Sequence, residues 1–176
     1  MVMMIPLREL VPTGVLAGRL PGNALRPLLE DQVVAAENGA IAILDFTRVD
    51  LVTASYFLAA FEWLWEREVC PVIANTTPEV REEIELALKA ANLKALFGTN
   101  QDGHLVEVQP FNLDSTETAT YEKIRSLGTA TANDLYTLDR QIQPSAWSNR
   151  LALLYRYRLL RRQSMGRQLA YSVCGS

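Results

Sequence analysis

The segment 40–75 most constrains the fold, because two short β-rich apolar runs flank a helix-like stretch. Residues 40–46 read AIAILDF, a nearly uninterrupted apolar run ending at an acid, as expected for a strand buried on both faces. Residues 53–67 are apolar on almost every side until Glu62 and predict a helix lying on that sheet. Residues 69–75 predict a second strand. Strands that alternate with helices favour an α/β layer.

The elements around this segment extend the same pattern. Thr77 is a candidate N-cap and Pro78 a favourable first helical residue, so a helix is predicted to start there. Its apolar residues form one stripe and its charged residues the opposite one, which is typical of a surface helix. The Asp102-Gly103 pair predicts a turn before a last strand over 104–108. The leucine spacing of residues 25–33 predicts another amphipathic helix ahead of residue 40.

These segments resemble a known family. The stretch ILDFTRVDLVTASYFLAAFEWLW, residues 43–65, is similar to the central strand, loop and helix of STAS domains, the fold of bacterial anti-sigma-factor antagonists. The stretch VCPVIANTTPEVREEIELALKAANLKALFG, residues 69–98, resembles the next strand and helix, including a short final helix turn before an Asp-Gly hairpin. The resemblance covers most of residues 1–109. It implies a STAS-like α/β domain, with a mixed sheet and helices, that binds protein partners.

The loop before the central helix departs from the family pattern. Family members carry Asp-Ser-Ser-Gly there, and the first Ser is phosphorylated to switch partners. The corresponding residues here are 53–56, so Ala54, which has no hydroxyl, stands at the phosphoacceptor position. A phosphate on Thr53 or Ser55 would still meet the favourable N-terminus of a helix. The plainer interpretation makes Thr53 an N-cap and Ser55 an ordinary first-turn residue.

A second domain is predicted after a linker. Residues 110–117 break both periodicities and contain turn-forming residues, which is typical of a linker. Residues 118–176 then divide into helix, helix, helix and hairpin. In the third helix Pro144 occupies a favourable first position, and Trp147, Leu151 and Leu154 recur on one buried face. The hairpin is predicted from residues 159–163 and 167–173, with Gly166 in its turn.

Charge separates the two predicted domains. Residues 1–117 carry 8 Lys+Arg against 17 Asp+Glu, a net charge of −9, whereas residues 118–176 carry 9 against 3, a net charge of +6. The overall charge of −3 is the sum of the two. From Arg140 onward there are seven arginines and neither lysine nor acid. Such a basic end indicates a polyanionic partner such as nucleic acid.

The C-terminal segment is similar to a winged helix-turn-helix domain. Residues 128–172 follow that family's order of second helix, turn, recognition helix and basic wing; their sequence is GTATANDLYTLDRQIQPSAWSNRLALLYRYRLLRRQSMGRQLAYS. The resemblance covers nearly all of residues 118–173 and implies a small α+β domain that binds double-stranded DNA. Where family members usually have a Gly after the recognition helix, this chain has Tyr157-Arg158-Leu159. The residues predicted to face bases or phosphates are Ser145, Ser148, Asn149, Arg150, Arg161, Arg162 and Arg167.

Two functions are therefore weighed. The first is a DNA-binding regulator in which the winged helix contacts the duplex and the STAS-like domain receives a signal or associates with a partner, including a second copy of the chain. The second is a partner-switching module in which the winged helix is a scaffold and no DNA is bound. The arginines also have the acidic first domain as an electrostatic partner, since opposite net charges attract at close range.

Other classes of function lack a sequence signal. No nucleophile, base and orienting group assemble, the one histidine, His104, lies beside a turn, and no Gly-rich phosphate loop or dinucleotide fingerprint is present, so neither an enzyme nor a cofactor is predicted. Zinc-type Cys/His clusters are missing as well. The apolar start has no basic segment ahead of it, and no run is long enough to span a membrane, which indicates a cytoplasmic protein. Cys70 and Cys174 are accordingly predicted to be reduced thiols.

Overall fold

The computed structural model describes residues 1–36 and 39–175, which form a mixed α/β fold as predicted. The strands are β1 (Val2–Pro6), β2 (Val15–Leu16), β3 (Ala40–Asp45), β4 (Leu51–Val52), β5 (Val69–Ala74), β6 (Ala95–Gln101), β7 (His104–Phe111), β8 (Thr129–Thr131), β9 (Leu160–Met165) and β10 (Gln168–Val173). The helices are α1 (Leu7–Leu10), α2 (Arg19–Val34), α3 (Ala54–Phe61), α4 (Pro78–Ala90), α5 (Ser115–Leu127), α6 (Ala132–Leu138) and α7 (Pro144–Arg156), and a 3₁₀ helix (Glu62–Glu66) follows α3.

The main sheet has the order β1-β3-β5-β6-β7. Its first four strands are parallel, and β7 returns antiparallel to β6 as a hairpin. Each successive strand is added at the same edge of the sheet. Because crossovers between parallel strands are right-handed, every connecting helix then lies on the same face. Leu29 of α2, Phe57 of α3 and Ile84 of α4 accordingly share one hydrophobic cluster.

The C-terminal elements cover the opposite face of the main sheet. Ile43 of β3 and Val72 of β5 lie in a second hydrophobic cluster together with Tyr121 of α5, Trp147 of α7 and Leu160 of β9. The N-terminal strands and the C-terminal segment therefore share this core. Strands β3 and β5 are buried on both faces, as their continuous apolar sequences predict, because a different part of the chain covers each face.

Local sequence signals start the helices of the first half. Thr53 and Thr77 are confirmed as N-caps, since their hydroxyls accept hydrogen bonds from the backbone N–H groups of Tyr56 and Val80. Helix α2 approaches α3 closely at Gly22, where an added Cβ would lie only 2.7 Å from the carbonyl oxygen of Tyr56. A glycine is required there because a side chain would push the two helices apart.

Two strands of the main sheet have no counterpart in the sequence prediction. The resemblance implies a short helix turn before the Asp-Gly hairpin, but the chain there forms β6, which pairs with β5 and β7. The apolar start of the chain forms β1, which pairs with β3. Both segments are short, and pairing with a buried neighbouring strand decides their conformation over local preference.

The connection between the two halves is short. Strand β7 continues through Phe111, and α5 begins at Ser115, so only residues 112–114 lie outside regular structure. Asp114 and Glu117 form a reciprocal capping box, in which each side chain accepts a hydrogen bond from the other residue's backbone N–H. The predicted linker, residues 110–117, thus contains the end of a strand and the first turn of a helix.

The C-terminal body contains α5, β8, α6, α7, β9 and β10. Its three antiparallel strands have the spatial order β8-β10-β9. Trp147, Leu151 and Leu154 of α7 are buried, as predicted from their spacing. The segment predicted as one second helix, residues 129–143, contains strand β8 as well as α6, because Thr129–Thr131 pairs with β10.

Helix α7 ends where the sequence lacks the expected glycine. Tyr157 is the C-cap, and Arg158 follows with a φ of 64°. The N–H of Arg158 donates to the carbonyl of Tyr155, and the N–H of Leu159 donates to the carbonyl of Leu154. This pair of hydrogen bonds is the pattern of a Schellman C-cap. Arg158 therefore adopts the left-handed conformation that glycine usually supplies. Its Nε also donates to the carbonyl of Trp65, 3.2 Å away, and links the C-terminal body to the 3₁₀ helix.

The two cysteines are paired. Cys70 in β5 and Cys174, directly after β10, form a disulfide with their Cα atoms 6.3 Å apart. The prediction of two reduced thiols is therefore not what the structure shows. The sequence separation of 104 residues concealed the pairing, which arises because the end of β10 lies against the main sheet.

Candidate nucleic-acid interface

Helix α7 presents a polar surface opposite its buried residues. Ser145, Ser148 and Asn149 are exposed, and Arg150 is partly exposed. The helix is held from the other side, where Trp147 packs in the core and both Arg150 and Lys123 lie over its indole ring, at 5.2 and 4.9 Å from the centroid. Ser145, Ser148 and Asn149 thus share one accessible face of α7, and Arg150 lies at the flank of that face.

A groove separates this surface from the β9-β10 hairpin. It encloses about 310 Å³ and is lined by Ser148 of α7, Asn133 of α6, and Arg167 and Gln168 at the hairpin turn. The turn has two residues, and Gly166, the first, has a φ of 62°, which a type II′ turn requires. Ser148 and Arg167, 19 positions apart in the chain, therefore line the same groove. We call it the α7-hairpin groove.

Asn133 and Gln168 belong to this groove but were not predicted. Gln168 directly follows Arg167, so the predicted hairpin already placed Gln168 next to the turn. Asn133 lies in the first turn of α6, and its neighbour Thr131 caps that helix through the N–H of Asp134. Only the tertiary contact of α6 with α7 brings Asn133 to the groove.

Arg161 and Arg162 lie elsewhere on the hairpin and point to opposite faces of the three-stranded sheet. Consecutive residues of a strand alternate between faces, and in this sheet Arg162 lies opposite Tyr171 while Arg161 lies opposite Ser172. The Arg162 guanidinium lies 4.3 Å from the centroid of the Tyr155 ring, on the α7 side. Arg161 lines a separate groove on the other side of the sheet, and Arg162 also contributes to the lining of that groove. Neither arginine lines the α7-hairpin groove.

The side-chain carboxylates in the described part of the C-terminal body, residues 115–175, all have partners. Glu122 pairs with Arg125 at 3.1 Å, Asp139 pairs with Lys123 at 3.2 Å, and Asp134 accepts from the N–H and hydroxyl of Thr131. The hydrogen bond from Lys123 lowers the pKa of Asp139, with smaller contributions from the N–H of Gln141 and the charges of Lys123 and Arg150. These acids therefore already have partners.

The arginines after residue 139 are free of such pairing. Within residues 1–36 and 39–175, none of them lies within salt-bridge distance of a carboxylate. Arg140, Arg156, Arg162 and Arg167 are exposed. Unpaired guanidinium groups on a body of net positive charge can bind a polyanion without first breaking an ion pair.

The candidate regulatory loop lies in the first half, at the start of α3. The Thr53 hydroxyl accepts from the N–H groups of Gly18 and Tyr56, at 3.1 and 3.3 Å. Its oxygen also lies 3.2 Å from the Ser55 hydroxyl. Ser55 is exposed and lines a groove of about 460 Å³ that also contains Arg19 and Glu62. The hydroxyl of Ser55 is thus accessible, whereas that of Thr53 is occupied by capping.

A hydrogen-bond network at the carboxyl ends of β3, β5 and β6 was not predicted. Asp45 accepts from the N–H and hydroxyl of Thr47 and from the Asn75 amide, at 2.9, 2.6 and 3.0 Å. Asn75 in turn accepts from the N–H of Asn100 at 3.0 Å. Burial alone would raise the pKa of Asp45, but these hydrogen bonds outweigh it and lower that pKa. The network joins the carboxyl ends of three neighbouring strands.

Comparison with known proteins adds no assignment. No family model matches the chain, and no curated protein matches it. No helix in the described part of the chain is long and apolar enough to span a membrane. Among the same residues, no group of His, Cys, Asp and Glu side chains is placed to hold a metal ion.

Proposed function

We propose that this protein is a DNA-binding regulator in which the C-terminal body acts as a winged helix-turn-helix domain. The order of its elements supports the proposal: a helix, a short strand, two helices and a hairpin whose strands complete a β8-β10-β9 sheet. In this assignment α7 is the recognition helix and the β9-β10 turn is the wing. The main sheet with its helices is then the STAS-like part, which receives a signal or binds a protein partner.

The observation that carries the proposal is the α7-hairpin groove with its surroundings. A recognition helix needs an exposed face that can enter a major groove about 12 Å wide. The exposed side chains of Ser145, Ser148 and Asn149 are small as well as polar, so this face of α7 can approach the bases. Asparagine pairs bidentately with adenine, and serine bonds several base edges. Arg167 stands across the groove from Ser148, where it can bind a backbone phosphate.

Other arginines of the C-terminal body would contact DNA phosphates at different positions. Arg150 flanks the exposed face of α7 and suits a phosphate beside the major groove. Arg162 is exposed and stacked on Tyr155, so its guanidinium is held in place with donors free for a phosphate. Arg156 is exposed at the end of α7, 11 positions after Ser145, and this spacing places both on one side of the helix.

Binding of labelled genomic DNA fragments, measured by fluorescence anisotropy in about 50 mM salt and then at rising salt, tests this proposal. We expect Arg167→Gln to weaken binding and to reduce the slope of log affinity against log salt by about one, since one phosphate contact is lost. Arg81→Gln removes the same charge from α4, on the helix-covered face of the main sheet, and is expected to leave binding unchanged. Equal effects of the two variants, or no binding by the unaltered protein, would overturn the proposal.

The exposed hydroxyl of Ser55 favours one alternative, a partner-switching protein that binds no DNA. Ser55→Glu imitates a phosphate beside Arg19, and Ser55→Ala is its matched control. In this alternative Ser55→Glu, but not Ser55→Ala, changes the amount of a specific protein partner recovered from a host extract. The recovered amount is then insensitive to nuclease, and no DNA binding is seen.

A further inference from the structure

Arg161 lines a groove at the seam between the two halves of the molecule. This seam groove encloses about 470 Å³ and lies between Gly39, just before β3, and one face of the three-stranded sheet. Its volume is within the range of about 300–1,000 Å³ that is common for small-molecule sites. The stem of Arg161 lies near Gly39, where an added Cβ would be 4.0 Å from the Arg161 Cγ.

Three side chains cross this face in one row. Ser172 of β10 pairs in register with Thr129 of β8 on one side and with Arg161 of β9 on the other. Residues paired in this way project from the same face, and neighbouring strands lie about 4.8 Å apart. The row therefore places two hydroxyls and a guanidinium across roughly 10 Å. Gln163, two residues after Arg161, adds an amide at the same face.

Among the residues that the structure describes, the guanidinium of this row has no counter-ion. The Nε of Arg161 is buried and has no hydrogen-bond partner. No carboxylate in residues 1–36 or 39–175 lies within salt-bridge distance of Arg161, and none of the described residues that line the groove is acidic. Buried donors normally have acceptors, so an unpaired guanidinium nitrogen beside two hydroxyls is a place for an anion.

We infer that the seam groove binds a phosphate-bearing ligand, with Arg161 as the anchoring cation and Thr129 and Ser172 as hydrogen-bond donors. The planar guanidinium matches the oxygens of a phosphate group, and hydroxyls complete their coordination. Donors spread over three strands suit a ligand with more than one anionic group, such as a diphosphate or a phosphorylated sugar. Such a ligand contacts both the start of β3 and the C-terminal sheet.

This site is separate from the α7-hairpin groove. Arg161 and Gly166 are five residues apart on an extended strand that rises about 3.3 Å per residue, so Arg161 lies roughly 16 Å from the hairpin turn. A ligand at the seam therefore does not occupy the space between Ser148 and Arg167. Arg162 also lines the seam groove, but the residues that carry the inference, Arg161, Thr129 and Ser172, do not line the α7-hairpin groove. The inference can therefore be tested separately from the proposed DNA binding.

Titration calorimetry of the full chain with inorganic pyrophosphate is the direct test. We expect Arg161→Gln to reduce pyrophosphate affinity at least about tenfold, since a charge-assisted hydrogen bond is lost. Arg167→Gln removes the same charge at the other end of the hairpin and is expected to leave that affinity unchanged. Thr129→Ala, at an exposed position, is expected to reduce it about threefold and serves if Arg161→Gln fails to fold.

DNA-binding measurements on the same variants identify the source of the phosphate. If Arg161→Gln loses pyrophosphate binding but keeps DNA affinity within about twofold, the groove takes a free phosphate compound. If pyrophosphate displaces DNA and Arg161→Gln weakens both, the groove holds a phosphate of the DNA backbone. Absence of pyrophosphate binding by the unaltered protein, or equal affinities for Arg161→Gln and Arg167→Gln, would overturn the inference whatever the DNA result.

Discussion

The two faces of the main sheet are covered in different ways. One face is covered by α2, α3 and α4, which are the connections between its own parallel strands. The other is covered by α5, α7 and the β9-β10 hairpin, which come later in the chain and belong to a body with its own sheet. The first covering follows from the handedness of crossovers, whereas the second depends on complementary apolar surfaces that meet only in the tertiary structure.

The C-terminal body shares its hydrophobic core with strands of the main sheet. Its contacts are hydrophobic, and they are supplemented by the Cys70–Cys174 disulfide and by hydrogen bonds from Arg158 to the Trp65 carbonyl and from Arg125 to the Val108 carbonyl. If the C-terminal body binds DNA as proposed, a change in the sheet would reach it through altered packing and not through movement on a flexible tether.

The largest loss of stability is expected from substitutions at two adjacent residues of β3, one on each face of the sheet. Ile43 and Leu44 are both fully buried, but Ile43 faces the C-terminal body and Leu44 faces the helices. We expect Ile43→Ala and Leu44→Ala each to reduce the free energy of unfolding by about 2–5 kcal/mol, since each leaves a cavity in a packed core. Urea denaturation measures both values.

A single unfolding transition is expected for both variants, because the two cores share strands. If Ile43→Ala cost less than about 1 kcal/mol, or if the C-terminal body unfolded in a separate transition, the second face would be only loosely covered.

The disulfide provides the next test. Its reduction is expected to lower the free energy of unfolding by about 2–5 kcal/mol, since a cross-link across a long loop constrains the unfolded chain. Urea denaturation with and without a thiol reductant measures the difference. The Cys174→Ala variant is the control, and its stability should not respond to the reductant. Two free thiols in the folded, unreduced protein, detected by alkylation and mass spectrometry, would contradict the expectation.

The smallest effects concern one helix cap on each side of the sheet. Thr77 caps α4 and Thr131 caps α6, so Thr77→Ala and Thr131→Ala should each cost about 1 kcal/mol at neutral pH. The caps differ because Asp134 bonds back to Thr131. The backbone N–H and then the hydroxyl of Thr131 lower the pKa of Asp134 below its ordinary value of 3.8.

A lowered carboxyl pKa stabilises the folded state above the unfolded-state pKa, and this stabilisation is lost as the pH falls through the folded-state value. The cost of Thr131→Ala should therefore shrink below pH 3.8, whereas that of Thr77→Ala should not. Unfolding free energies at neutral pH and at about pH 3 check this. The same pH response in both variants would mean that the hydrogen bond from the Thr131 hydroxyl to Asp134 contributes nothing, since the backbone N–H bond to Asp134 is kept in Thr131→Ala.

Sequence patterns predicted some elements well and others not at all. The buried strands β3 and β5, the caps Thr53 and Thr77, and the buried face of α7 were predicted because each depends on a few neighbouring residues. Strands β1 and β6 were not, because their pairing with distant strands decides their conformation. In the candidate interface, the polar face of α7 was predictable from spacing. The separation of Arg161 from Arg167 required knowing which way each strand residue points.

The sequence by itself determined the α/β class, the buried strands and helix starts, and the basic C-terminal end, since hydrophobic periodicity, capping and charge are local properties. Only the tertiary structure decided what covers the second face of the sheet, that Cys70 meets Cys174, and that Ser148 and Arg167 share one groove while Arg161 lines another. These features join residues far apart in the chain, and no local pattern encodes which distant surfaces will meet.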